Sequence, residues 1–338
     1  MKTGNILLQK DLPEKTDREH RMCNPGVVFI LAMVCCILWG SAFPCVKLGY
    51  RLFGIGTSDT FTQIVFAGIR FLLAGILALI IGSTAQKKWL VPAKWEIPRI
   101  VKLCLFQTVL QYFFFYLGLA RTTGVKASII EAANVFVAIL VSSLIFRMER
   151  LTLKKMAGCI IGFAGVVLIN LNGAATGMDL HMSLTGEGFV FFSTVAYAFS
   201  SVLTKKYAKE SNPVLLAAYQ FMAGGLIMAV TGLAGGGRLQ MVTGKGIAML
   251  LYLAFVSAAA FSIWGMLLKY NPVSKVAVYG FMNPMFGVIL SALLLKEQGD
   301  AMGTGRAVIA LLLVTAGIVI VNINYQNRGK ITQNGHKF

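Results

Sequence analysis

VKASIIEAANVFVAILVSSLIFRME, residues 125–149, and VSKVAVYGFMNPMFGVILSALLLKE, residues 273–297, share their length, an apolar body and a terminal glutamate. Each is followed by a glycine-started apolar end, GVVLIN at 165–170 and GIVIVN at 317–322. Earlier in each half, RFLLAG from Arg70 matches QFMAGG from Gln220, and WGSAFPCVK from Trp39 is a weaker match to YAFSSVLTK from Tyr197. Apolar composition inflates such matches, but shared Glu, Asn and Lys are harder to obtain by chance. The chain therefore reads as two repeats in tandem.

Composition says where the repeats lie. Of 338 residues 57% are hydrophobic and 13% charged, against roughly 45–50% and about 25% in soluble domains. This is the balance of a membrane protein. The 31 Lys and Arg against 13 Asp and Glu do not point to nucleic acid, because they fall in short loops between apolar runs instead of on one soluble face. The six cysteines make no CxxC and sit mostly within apolar stretches, as small core hydrophobes. Residues 1–26 are polar and mixed in charge without a cleavage pattern, so the first apolar run is expected to remain as an anchor.

A membrane helix needs about 20 predominantly apolar residues. Ten spans are expected at 27–46, 61–83, 103–119, 127–146, 156–171, 186–204, 214–233, 247–267, 276–295 and 307–325. With the N-terminus cytoplasmic, the inner segments carry 22 Lys and Arg and the outer ones 8, which favours both termini inside. The fold class expected is all-α integral membrane, ten transmembrane helices in two five-helix repeats. Five is odd, so the second repeat enters from the opposite side. Inverted-topology repeats are characteristic of secondary transporters, whose halves rock about a site near the midplane to give alternating access. The expected division is a cytoplasmic tail at 1–26, repeat 1 at 27–172, an outer linker at 173–185, repeat 2 at 186–325 and a cytoplasmic tail at 326–338.

WGSAFPCVK (39–47), GIRFLLAG (68–75), LIFRMERLTLKKMAGCIIGFAGVVLIN (144–170) and the later echoes LLLKEQ (293–298) and AGIVIVN (316–322) resemble the paired EamA repeats of the drug/metabolite transporter superfamily. The resemblance covers about residues 27–325. It implies a ten-helix transporter, often an exporter of amino acids or other small metabolites, with a central cavity lined mainly by spans 1–4 and 6–9 and with spans 5 and 10 peripheral. One departure stands out. Many relatives carry a proline within span 4 where this chain reads EAANVF (131–136), whereas span 9 keeps FMNPMF (281–286).

Several residues are candidates for the cavity. Arg70 interrupts the apolar run FAGIRFLLAG (66–75), and a charge at mid-membrane costs roughly 2.5–3.5 kcal/mol unless solvated or paired. At 1.5 Å per residue Arg70 lies about 13 Å deep and Glu131 about 6 Å deep, so an Arg70–Glu131 ion pair, partly exchanged for a charged substrate, is one expectation. Arg70 bound to helix carbonyls and Glu131 solvated at the outer rim are the structural alternatives. Gln107 and Gln111 are four apart on one face of span 3, with Phe114 and Phe115 a turn on, offering amides and an aromatic wall; ordinary interhelical packing would account for them equally. Trp39 and Ser41 on span 1, Asn134 on span 4, Tyr197 on span 6, Gln220 on span 7, and Tyr279 and Asn283 on span 9 complete the set. Pro44 and Pro284 are hinge candidates, each removing one backbone hydrogen bond. Gly158, Gly162 and Gly165 form a small-residue edge for close packing, internal or at a homodimer face.

No catalytic or metal-binding residue is expected. His20, His181 and His336 lie in a tail, a loop and a tail, and neither HExxH, GxSxG nor a carboxylate cluster occurs. The expected function is a secondary transporter, an exporter of small polar or zwitterionic metabolites such as amino acids, in the cell membrane. It needs no cofactor; the partners expected are substrate and lipid, with no nucleic acid, and a homodimer is open. An integral-membrane enzyme or a non-transporting scaffold is the alternative.

Overall fold

A computed structural model of the chain describes residues 17–56, 58–119, 121–122, 127, 130–170, 183–295 and 304–334. Most of the expected 173–185 linker, most of the N-terminal tail and Glu297 lie outside the described residues. After a short helix Asp17–Cys23, ten helical segments follow among the described residues. They are α1 Pro25–Phe53, α2 Thr60–Ala85, α3 Ile97–Leu119, α4 Ile130–Ile145, α5 Leu153–Asn170, α6 Leu184–Tyr207, α7 Pro213–Ala234, α8 Gly244–Tyr270, α9 at 273–295 and α10 Thr304–Asn334. No strand occurs among the described residues.

Seven of these, α1–α3 and α6–α9, are long and apolar enough to cross a membrane, while α4 and the stretch Val308–Ile323 of α10 are shorter apolar helices. Ten spans were expected; by length and composition the described residues supply seven. Most helices begin a little before the apolar run because polar caps start them. Asn24 Oδ1 accepts from Gly26 N at 2.9 Å, Asn212 Oδ1 from Val214 N at 2.9 Å and Thr243 Oγ1 from Gly246 N at 3.1 Å. Pro25 and Pro213 then occupy first-turn positions where a missing N–H costs nothing.

The core is organised around two seams. Along α2 and α7, Val65, Gly68 and Gly75 meet Gly232, Ala229 and Ala218 in descending order, so the helices run antiparallel. The backbones approach so closely that a Cβ on Gly68 would fall 2.4 Å from Ala229 N, and one on Gly225 2.4 Å from Leu72 N. Along α5 and α10, Gly158, Gly162 and Gly165 meet Val321, Gly317 and Val314, again antiparallel. The small-residue edge of α5 is thus internal packing.

Several of the remaining contacts fall into matched pairs. α1 packs on α8 and α9, as α6 packs on α3 and α4; α2 touches α8, as α7 touches α3. Exchanging each helix with the one five places along maps this set onto itself. The local geometry agrees. An i→i+3 bond from Ala133 N to Ile130 O (3.0 Å) precedes the helical stretch from Asn134, and the 3₁₀ turn Val278–Phe281 precedes the one from Met282. Asn134 and Met282 occupy the same position in the two quoted 25-residue stretches.

At the α4–α5 corner, Glu149 ties three elements together. Its carboxylate accepts from Lys155 Nζ (2.7 Å), Ser142 Oγ (2.9 Å), the backbone N of Ser274 (3.0 Å) and Ser274 Oγ. The glutamate that ends the α4 stretch therefore holds the first turn of α9. Burial alone would push its carboxyl up, but the bonds from Lys155 and Ser274 outweigh burial and hold it below the usual carboxylate value.

Candidate functional site

Arg70 on α2 is 6% exposed. Its Nε donates to Leu253 O at 3.3 Å and its Nη2 to Ser257 Oγ at 2.9 Å, both on α8. The expected ion pair with Glu131 is not formed. Glu131 is half-buried and makes no hydrogen bond or ion pair with any described residue. The depth arithmetic gave each residue a height in the membrane but not the side of the helix on which it projects, and Arg70 turns toward α8.

Gln220, the counterpart of Arg70, is fully buried, and its Oε1 accepts from Thr108 Oγ1 on α3 at 2.7 Å. Arg70 to Ser257 and Gln220 to Thr108 are thus one interaction seen twice, α2 to α8 and α7 to α3. The next residues repeat it. Phe71 and Phe221 stack at 5.3 Å between centroids and 14° between planes, Phe71 also lying 4.4 Å from Tyr112 on α3 and Phe221 4.9 Å from Phe261 on α8. Trp39, Phe115 and Tyr197 pack on the same aromatic cluster.

Buried polar atoms without a protein partner mark where polar solute groups can bind, since such atoms are costly to leave unmade. Trp39 Nε1, Gln111 Oε1, Gln220 Nε2 and Asn283 Oδ1 are four of these, and all belong to residues nominated from sequence. Tyr50 Oη is another. Two adjoining clefts share Ser201, Trp264 and Leu268. One is lined also by Gln107 and Phe261, the other by Asn134, Tyr197, Gly280 and Asn283.

Other nominees are engaged elsewhere. Ser41 Oγ bonds Leu38 O at 2.7 Å and Tyr252 Oη at 2.8 Å. Tyr279 is buried against Phe29, at 6.2 Å, and its carbonyl accepts from Cys36 Sγ at 3.2 Å. Pro44 lies inside the unbroken α1. Pro284 is the third residue of the stretch Met282–Leu295, where its missing N–H falls in the first turn. Both prolines flank one crossing, where Gly40 lies against Phe286 and Gly287 against Phe43.

Sequence reasoning passed over Ser257, Tyr50, Tyr112, Tyr116 and Trp264. Tyr112 and Tyr116 were available from their spacing of four in QTVLQYFFFY (107–116), the same signal that picked out Gln107 and Gln111. Ser257 has no local signal and is found only through the exchange that pairs it with Thr108.

The EamA-like transporter family model matches residues 26–171 and 184–323, one copy in each half. The chain belongs to the EamA-like transporter family. As an EamA protein with seven or more apolar helices it is a multi-pass integral membrane protein. It is 28% identical to the uncharacterized transporter YvbV of Bacillus subtilis over 85% of this chain and 88% of that one. It is 25% identical to a protein of Escherichia coli named "Probable amino-acid metabolite efflux pump", over 86% and 93%. A solved structure, titled only as the crystal structure of a protein, shares the fold of this EamA chain with a TM-score of 0.70 at 16% identity, over 88% of this chain and 97% of that one.

Proposed function

We propose that this EamA protein is a secondary transporter that exports small polar or zwitterionic metabolites, amino acids among them, by alternating access across the cell membrane. The observation that carries the reading is the exchange centred on the Phe71–Phe221 stack. Equivalent helices α2 and α7 pack antiparallel, and a two-fold relation between antiparallel neighbours has its axis across the helices, in the plane of a membrane. That is the symmetry of inverted repeats, which place their site near the midplane. It supports ten spans, repeats at 27–172 and 186–325 joined by an outer linker, and both termini in the cytoplasm.

Arg70, Gln107, Gln111, Glu131, Asn134, Tyr197, Gln220, Trp39 and Asn283 are the proposed contacts, with Ser41, Phe115 and Tyr279 around them and Pro44 and Pro284 as hinges. Unpartnered atoms on four of these support a polar solute, and the ring cluster supports an organic one. Export of amino-acid metabolites is supported by the names of the Escherichia coli and Salmonella typhimurium relatives.

Proteoliposomes containing the purified protein, loaded with a mixture of labelled metabolites, test this. Release of one or a few solutes above protein-free vesicles is the expected result. Release of none, with the protein folded and correctly inserted, would end the transport reading.

A further inference from the structure

We infer that Lys205 on α6 is a latch that shuts one mouth of the two clefts, and that Lys47 on α1 is its counterpart at the opposite mouth, the two together setting which side of the membrane the protein opens to. The inference rests on the alternating-access reading above and adds the device that controls it.

Lys205 Nζ donates to Leu268 O at 3.0 Å and to Asn271 O, so it caps the end of a helix that is not its own. The last carbonyls of a helix have no partner within it and carry the negative pole of its dipole, and both features favour an ammonium group there. What the bond joins matters more than the cap. α6 packs on α3 and α4, whereas α8 and α9 pack on α1, so Lys205 crosses from one group of helices to the other. Glu149 crosses at the same end, from the α4–α5 corner to Ser274 of α9. Asn271 draws the start of α1 into this end, its Nδ2 donating to Met22 O at 2.9 Å. Both clefts are walled by α6 on one side and α8 on the other. Leu268, whose carbonyl Lys205 holds, lines both, and Thr204 lines one. Parting α6 from α8 at Lys205 therefore opens the clefts at that end.

Lys47 enters through the repeat. WGSAFPCVK (39–47) and YAFSSVLTK (197–205) end on Lys47 and Lys205. The exchange that pairs Ser257 with Thr108 also pairs Leu268 with Leu119, the last residue of α3, and Asn271 with Thr122. Lys47 thus stands to the end of α3 as Lys205 stands to the end of α8, again across the two groups. Tyr50, three residues on and on the same face of α1, packs in one aromatic cluster with Tyr116 of α3, so α1 and α3 meet at this height. Lys47 is exposed, and at 1.5 Å per residue it lies about 33 Å along α1 from Pro25, far from Met22 and Asn271. The two lysines therefore serve opposite mouths. Each latch stabilises only the conformation in which its own end is closed, and such a differential contact is what shifts a balance between two states.

Thiol labelling from each side tests this. The reporters are Thr204→Cys and Val46→Cys, the half-buried residues just before the two lysines, in a Cys23→Ser background because the other five cysteines are buried. An impermeant maleimide is applied to membrane vesicles of either orientation. Lys205→Ala should raise the labelling rate at Thr204→Cys at least about tenfold, the effect of losing one hydrogen bond to a charged group, and lower it at Val46→Cys. Lys47→Ala should do the reverse. Unchanged rates in a folded Lys205→Ala protein overturn the inference, and so does a rise at both reporters, which is how a purely structural lysine behaves when lost. If Lys205→Ala does not fold, the presence or absence of opposed shifts in Lys47→Ala decides. Labelling is read without flux. Opposed shifts in a protein that moves no solute would sink the transport reading and leave the latches standing, and flux with unmoved labelling would do the opposite.

Discussion

Phe71 and Phe221 stack face to face at 5.3 Å and 14°, each the residue after the polar member of its own half, Arg70 or Gln220. Both are fully buried, so Phe→Ala at either is expected to cost about 3–5 kcal/mol. The pair should also be coupled by about 0.5–1.5 kcal/mol. A double-mutant cycle on unfolding in detergent measures this, and additive losses would show that the rings stack without supporting each other.

The α2–α7 seam should tolerate nothing larger than hydrogen at its closest points. Gly68→Val places atoms where Ala229 N already lies 2.4 Å from a Cβ, and the variant should fail to give a monodisperse protein. Gly244→Ala meets nothing within 4 Å and should elute as the wild type does. Size-exclusion profiles of the two, side by side, make the comparison.

Glu149 should make the fold acid-sensitive. Its folded value lies below the ordinary carboxylate value, so its stabilisation is fully present above that value, near pH 4.3, and is lost as pH falls through the folded one. Glu149→Gln keeps the shape but gives up the negative charge that faces Lys155. Its melting temperature should therefore fall at neutral pH, and the gap to wild type should narrow toward pH 3. A gap that is constant with pH would show that the charge is not what holds α9 to the corner.

Gln220→Leu separates function from scaffold. It removes one bond, from Thr108, together with one unpartnered donor, so its net cost in stability should be about 1 kcal/mol. If the amide serves the solute, flux in proteoliposomes should drop far more than the melting temperature suggests. Unchanged flux would make Gln220 packing.

Orientation is open to thiol labelling. Val91 and Met241 are 66% and 50% exposed at opposite turns, and five of the six native cysteines are buried. In a Cys23→Ser background, Val91→Cys should react only from the cytoplasm and Met241→Cys only from outside. The reverse pattern would invert the reading based on the distribution of Lys and Arg.

The elements were legible because their signals are local. Apolar runs located the helices but not all their ends, α1 running on to Phe53 and α3 starting at Ile97; Asn24, Asn212 and Thr243 show why other helices start ahead of their runs. The shared position of Asn134 and Met282 was implicit in the two quoted stretches. What could not be read was rotation about each axis. Arg70 and Glu131 were given depths that allowed a pair, yet one side chain turns to α8 and the other makes no bond with a described residue. Pro284 shows the same limit. The residue is visible in sequence, but only the 3₁₀ turn ahead of it reveals that it begins a helical stretch and does not interrupt one.

The exchange between halves fails at one conspicuous point, a guanidinium on α2 where α7 has an amide. Were the halves identical, the protein would present the same face to either compartment, and a solute would bind with one dissociation constant from both. A cation in one half removes that degeneracy. Under the alternating-access proposal the two faces are then free to differ in affinity, and the ratio of those affinities equals the ratio of the empty and occupied reorientation constants. It cannot by itself drive uphill flow, but it decides at what concentration each side saturates.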